Sequence, residues 1–198
     1  MLEEKRQIFE KATEKANKYL SQVQVQPNTI TFLSLIAALF SFVFLITNHL
    51  ILASFFFISA AFLDWLDGRI ARVTQRVSKI GAYLDTIIDR YVEGIVLLGF
   101  LFLPLPRFIL PASVWIFLSL FGGLLTTYSK AARKEKGLST KNPKFSLAGR
   151  GERIILIILS MILGIFNLSF TTYLLFILAI ISNLSAIQRI YLTIKKYL

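Results

Sequence analysis

Four aspartates interrupt otherwise apolar sequence in FLDWLDGRIARVTQRVSKIGAYLDTIIDR, residues 62–90: Asp64, Asp67, Asp85 and Asp89. Glu93 follows one helical turn later. An ionised side chain at mid-membrane costs roughly 2.5–3.5 kcal/mol on insertion scales, so five acids set in apolar segments are expected to face one another, a counter-charge or water. Asp64 and Asp67 are three residues apart and Asp85 and Asp89 four apart, which puts each pair on one face of a helix. If the polar turn between them joins the two segments as antiparallel neighbours, four carboxylates converge just below the membrane surface, where their repulsion calls for cations. Oxygen ligands without His or Cys favour Mg²⁺, Mn²⁺ or Ca²⁺ over zinc. Four carboxylates have the capacity for a two-metal centre, with ions about 3.5–4 Å apart, that clamps attacking and leaving oxygens in phosphoryl chemistry. The competing use of the same acids is neutralisation by Arg69, Arg72 and Arg90.

Small residues stand beside these acids. Gly68 and Ala71 remove bulk next to the first pair and Gly81 does so one turn before Asp85, leaving room for a flat or charged ligand near backbone. Arg72 carries a fork of donors suited to a diphosphate. Small residues also serve helix packing in membranes, so their spacing alone does not choose.

The elements that must carry the aspartates follow from hydropathy. With 56% hydrophobic residues and a mean hydropathy of +0.68, the chain reads as an all-α integral membrane protein rather than a water-soluble domain. A single membrane domain over 1–198 is expected, with six transmembrane helices near 29–47, 50–72, 81–103, 108–132, 153–166 and 172–190. Pro27 suits the first turn of the first helix, and the LPLPR turn at 103–107 stops the third. Ahead of them, residues 1–22 repeat Ile8, Ala12, Ala16 and Leu20 every fourth position among lysines, as in an amphipathic helix lying at the membrane interface. That stretch has no apolar core of the signal-peptide kind, so cleavage is not expected.

Cysteine is absent, which removes disulfides, thiolate nucleophiles and thiolate-bound metals. The lone His49 sits beside Asn48 at a turn and reads as an interfacial residue. Basic residues cluster in the N-terminal helix, around Arg76 and Lys79, from Lys130 to Arg153, and at Lys195 and Lys196, all on one side of a six-span chain; only Arg107 falls on the other. By the positive-inside tendency that side is cytoplasmic, with both termini on it. The net charge of +11 therefore reports topology and attraction to anionic membrane lipids, and no nucleic-acid partner is expected.

Asp64, Asp67, Gly68, Ala71, Arg72, Gly81, Asp85 and Asp89 match, without gap or substitution, the pattern DxxDGxxAR(x)8GxxxDxxxD. In this the chain resembles the CDP-alcohol phosphotransferases, integral membrane enzymes of phospholipid synthesis. QPNTIT before the first span and NLSAIQR near the end are similar to further segments of that family. The resemblance implies a six-helix fold, a homodimer, and a site opening to the cytoplasm of the cell membrane. It implies that Asp64, Asp67, Asp85 and Asp89 ligate two divalent cations, Mg²⁺ or Mn²⁺, with Asp89 also the general base that takes the proton from the acceptor hydroxyl as CMP is expelled. Asp64, Asp67, Gly68, Ala71, Arg72 and Gly81 would hold the cytidine diphosphate. Glu93 lies outside the pattern and would either orient a ligand or pair with Arg90.

YSKAARKEKG, LAGRGER and DRYVEG are similar to the inositol phosphate-using branch, which implies that Lys130, Arg133, Arg150 and Arg153 bind an acceptor's phosphate. A dianionic acceptor beside an acidic metal site needs such a cluster, although the positive-inside tendency would also place basic residues there. The expected reaction moves a phosphatidyl-type group from CDP-diacylglycerol or CDP-archaeol to inositol 1-phosphate. Glycerol 3-phosphate is the nearest rival acceptor, and a CDP-inositol donor is a further alternative. Outside the family, an intramembrane prenyltransferase also holds Mg²⁺-diphosphate with aspartates, and a divalent-cation transporter also lines its path with carboxylates.

Overall fold

The computed structural model describes residues 26–75, 78–138 and 149–197. The expected interfacial helix at 1–22 and most of the basic loop lie outside these. Among the described residues six helices follow one another: α1 Pro27–Ile46, α2 Leu50–Val73, α3 Lys79–Phe100, α4 Ala112–Glu135, α5 Arg150–Gly164 and α6 Leu168–Tyr197. Among the described residues the only β pairing is an isolated bridge between Phe108 and Leu110.

Local chemistry sets the ends. Pro27 opens α1, where its missing N–H is not needed, with Gln26 extended before it. Asn48 takes a left-handed φ of 60° after α1, and the His49 N–H then donates to the Phe44 carbonyl at 2.8 Å, closing the helix in Schellman fashion. His49 is exposed at this turn. The Ser78 hydroxyl accepts the Gly81 N–H at 2.9 Å, so α3 starts two residues before the expected position 81. It also ends at Phe100 rather than 103. The expected start of the fourth span at 108 is a closed turn instead: Trp115 Nε1 donates to the Phe108 carbonyl at 2.9 Å and Thr172 Oγ1 to that of Pro106 at 3.1 Å. At the opening of α5 the Glu152 carboxylate accepts the Gly149 N–H at 2.8 Å.

Four helices, α1, α2, α4 and α6, are long and apolar enough to cross a membrane. Lys79, Asp85, Asp89, Arg90 and Glu93 make α3 more charged than these four. With 15 residues α5 is about 22 Å long, short of the roughly 30 Å of a hydrocarbon core. Large apolar side chains such as Phe32, Phe40, Phe55 and Phe117 point outward, while Ala38, Ala53, Ala60, Val96 and Ile157 fill the interior.

α4 packs most extensively on α6. Gly122 makes this possible, since a Cβ there would sit 2.7 Å from the Asn183 backbone nitrogen. Asn183 Nδ2 in turn donates to the Leu118 carbonyl at 2.8 Å. α1 packs along both α2 and α3, and α5 bridges α6 and α2. The sequence leads one to expect α2 and α3 as packed neighbours; instead they make little backbone contact and both lean on α1. The N-terminal ends of α1, α3 and α5 and the C-terminal ends of α2, α4 and α6 gather at one end of the bundle.

Candidate active site

Asp64, Asp67 and Asp85 bring carboxylate oxygens within 4.8 Å of one another, although they come from helices that scarcely touch. Spacing along α2 and α3 supplies the facing sides, and α1 supplies the hinge between them. Asp67 is buried and accepts a hydrogen bond from Thr31 Oγ1 of α1 at 2.5 Å. Three acids so close, with one buried, form a donor set fitted to a hard divalent cation.

Asp89, expected as a fourth ligand, falls outside this mutual set but meets Asp64 directly, carboxyl to carboxyl. Its Oδ1 lies 2.5 Å from Arg150 Nη2. The same guanidinium donates through Nη1 to Asp64 Oδ2 at 2.7 Å and through Nη2 to Asp64 Oδ1 at 3.0 Å. Asp89 thus meets the trio both at Asp64 itself and through Arg150. A planar fork is the side chain suited to span two carboxylates in this way.

Arg150 and Arg153, expected at an acceptor's phosphate, are therefore both engaged by acids. Arg153 is 2% exposed and donates to Glu93 through Nε at 2.7 Å and Nη2 at 3.2 Å. Arg90 Nη1 donates to the same carboxylate at 2.6 Å, the pairing that the sequence offered as one role for Glu93. Arg133 is half-buried near the end of α4, whereas Lys130 is exposed. Sequence reasoning missed Arg189 of α6, which donates to the Thr126 carbonyl at 3.3 Å and lies within electrostatic reach of Arg133 and Arg153. Its only signal was its place in NLSAIQR.

A cavity of about 190 Å³ adjoins the trio. Its walls hold Asp67, Gly68, Ala71 and Arg72 from α2 and Gly81 and Asp85 from α3, six of the residues of the sequence pattern. Asp64, expected against the nucleotide as well, is not in this lining. Pro27, Asn28 and Thr31 of α1 complete it with Ser78 and Ala82, five residues not singled out for the site from sequence. A Cβ on Gly81 would lie 2.9 Å from Ser78 Oγ and 3.0 Å from Asn28 Oδ1, so bulk there would press on the cavity wall. At Gly68 the nearest neighbour would be the flexible end of Arg72 at 3.6 Å.

The site is polarised. Two of the three clustered carboxylates line the cavity, whereas Arg133, Arg153 and Arg189 are absent from its lining, with Arg189 within electrostatic reach of the other two. Four long apolar helices carrying such a charged, small-residue site define a multi-pass membrane enzyme that handles an anionic group. Residues 24–188 match the family model described as CDP-alcohol phosphatidyltransferase, and the chain belongs to that family. It is accordingly a transferase of substituted phosphate groups, which replaces the prenyltransferase and cation-transporter alternatives.

Archaetidylinositol phosphate synthase of Pyrococcus horikoshii is 33% identical over 192 residues, covering 96% of this chain and 95% of that protein. The fold is shared with the crystal structure of Mycobacterium tuberculosis phosphatidylinositol phosphate synthase with CDP-DAG bound, at a TM-score of 0.74 and 22% identity over 89% of this chain and 90% of that one. The same mycobacterial protein in complex with manganese and citrate gives a TM-score of 0.75 at 21% identity, over 89% and 86% of the two chains.

Proposed function

We propose that this enzyme transfers a phosphatidyl-type group from a CDP-linked lipid, CDP-diacylglycerol or CDP-archaeol, to a hydroxyl of inositol 1-phosphate and releases CMP. The observation that carries this reading is the polarity of the site: the pattern residues line a cavity beside clustered acids, while Arg133, Arg153 and Arg189 form a separate basic group outside that lining. A neutral acceptor such as serine would have no use for that basic side, whereas a phosphate monoester would. The similarity to a synthase of archaetidylinositol phosphate supports the same acceptor.

In this reading Asp64, Asp67, Asp85 and Asp89 hold two divalent cations, Mg²⁺ or Mn²⁺. When bound, these would neutralise the diphosphate and lower the barrier to displacement at phosphorus. Arg72 with Gly68, Ala71 and Gly81 holds the cytidine diphosphate close to backbone. Asp89 takes the proton of the acceptor hydroxyl, whose oxygen forms the new bond to phosphorus as the bond to the CMP oxygen breaks. Lys130, Arg133, Arg150 and Arg153 face the acceptor's phosphate; for Arg150 this requires leaving Asp64 or Asp89 with the cations, and Arg189 joins the group.

The rest of the proposal concerns the membrane. The chain forms a single domain with six spans, α3 crossing beside α1 and α5 beside α6 and α2. The described basic residues support a cytoplasmic site with both termini on that side, and the protein works as a homodimer in the cell membrane.

The test is an acceptor panel with radiolabelled CDP-lipid and Mn²⁺, scoring CMP and product lipid. Inositol 1-phosphate is expected to give the highest kcat/KM. Turnover with glycerol 3-phosphate alone would move the assignment within the phosphorylated acceptors, and turnover with only an uncharged alcohol would overturn it.

A further inference from the structure

Glu93 lies one turn beyond Asp89 on α3, is 4% exposed, and takes no part in the carboxylate trio. It grips the Nε and Nη2 edge of Arg153 from α5, which fixes the plane of that guanidinium. Arg153 Nη1 makes no hydrogen bond among the described residues. The same carboxylate also takes Arg90 Nη1, so one negative charge serves two guanidinium groups. Gly123 of α4 closes the arrangement: a Cβ there would lie 3.0 Å from Glu93 Oε1 and 3.4 Å from Arg153 Nε.

A merely structural contact between three helices would be made at lower cost by apolar side chains, since burying ions gains little over well-packed hydrocarbon. Two arginines on one carboxylate, with Arg189 in electrostatic reach of Arg153, leave this corner positive. It therefore favours an anionic guest. Nothing else described holds Arg153 in orientation.

We infer that Glu93 is a positioning residue for the acceptor's phosphate: it acts through Arg153, holding one edge of the guanidinium so that Nη1 is left for the ligand, and Gly123 keeps the space this needs. The inference rests on the phosphorylated acceptor proposed above.

The full chain in detergent with Mn²⁺ tests it, with initial rates measured against inositol 1-phosphate and, separately, against CDP-diacylglycerol. Glu93→Gln is expected to raise the KM for inositol 1-phosphate at least tenfold and leave that for CDP-diacylglycerol within twofold. Glu93→Asp, which keeps the charge, is expected to recover part of the loss, and Gly123→Ala to shift the same KM in the same direction. If Glu93→Gln does not fold, Gly123→Ala decides. An unchanged acceptor KM, with any loss confined to kcat or to thermal stability, overturns the inference while leaving the acceptor intact. A wild-type enzyme that ignores every phosphorylated acceptor overturns the acceptor assignment itself.

Discussion

Arg150 at the first turn of α5 donates two hydrogen bonds, of 2.7 and 3.0 Å, to Asp64 near the end of α2, 86 residues earlier in the chain. The same nitrogen that makes the longer bond touches Asp89. A divalent cation bound by Asp64 would compete with Arg150 for the same oxygens.

Competition of that kind predicts opposite effects in the presence and absence of metal. In EDTA, Arg150→Ala is expected to lower stability by about 1–3 kcal/mol, because it leaves partly buried acids without their hydrogen-bonded counter-charge. Mn²⁺ is expected to raise the Tm of the variant by more than that of the wild type. Thermal unfolding in detergent with and without Mn²⁺ measures both, and equal shifts would show that arginine and cation do not contend.

Asp89 lies outside the lining of the cavity. Asp89→Asn is therefore expected to reduce CMP release by about 10²–10⁴-fold, the range for loss of a general base, while binding of CDP-lipid partly survives. Single-turnover CMP release alongside equilibrium binding of labelled CDP-lipid separates the two. Parallel loss of binding would place Asp89 in nucleotide recognition instead.

The two glycines of the cavity are expected to differ. Gly81→Ala would press a methyl against Ser78 Oγ and Asn28 Oδ1, disturbing the cap of α3 at a cost of about 1 kcal/mol and narrowing the cavity. Its KM for CDP-lipid is expected to rise about tenfold. Gly68→Ala meets only the movable tip of Arg72 and should raise it less than threefold. Side-by-side kinetics on the two variants checks the ranking.

Thr31 supplies the hydroxyl that Asp67 accepts. Thr31→Val keeps the shape and removes the donor, leaving a buried carboxylate short of a partner at a cost of about 1–3 kcal/mol. Weaker Mn²⁺ binding and slower turnover are expected, with Thr31→Ser restoring both. Titration of Mn²⁺ followed by electron paramagnetic resonance reads the first without relying on activity.

Much of this site was legible in the sequence because helix geometry is local. Separations of three and four residues fix which aspartates share a face, and glycines beside them mark where a ligand approaches backbone. Helix termini depended on local hydrogen bonds that hydropathy does not weigh: Ser78 caps α3 so that it begins at Lys79, and the turn whose Phe108 carbonyl accepts Trp115 Nε1 precedes α4, which begins only at Ala112. The partners of the acids were less visible. Arg150 and Arg153 were drawn toward a phosphate by their charge, yet which carboxylate each meets is decided by how α5 sits against α2 and α3, a contact between residues far apart in the chain. Thr31 and Asn28 are ordinary polar residues at the start of an apolar helix, and only their position on the element that separates α2 from α3 brings them to the cavity. Arg189 sits in a segment quoted for its likeness alone, and its approach to Thr126 arises from the close fit of α4 on α6.

The two acid-bearing helices rest on α1 instead of on each other. Neither wall of the reaction chamber is packed on the opposite one, so a small tilt of that first rod widens or narrows the gap between the carboxylates, resisted chiefly by the Arg150 fork that spans Asp64 and Asp89. Mutations on the lipid-facing side of α1, at Phe32 or Ile36, thereby gain leverage over chemistry they never touch.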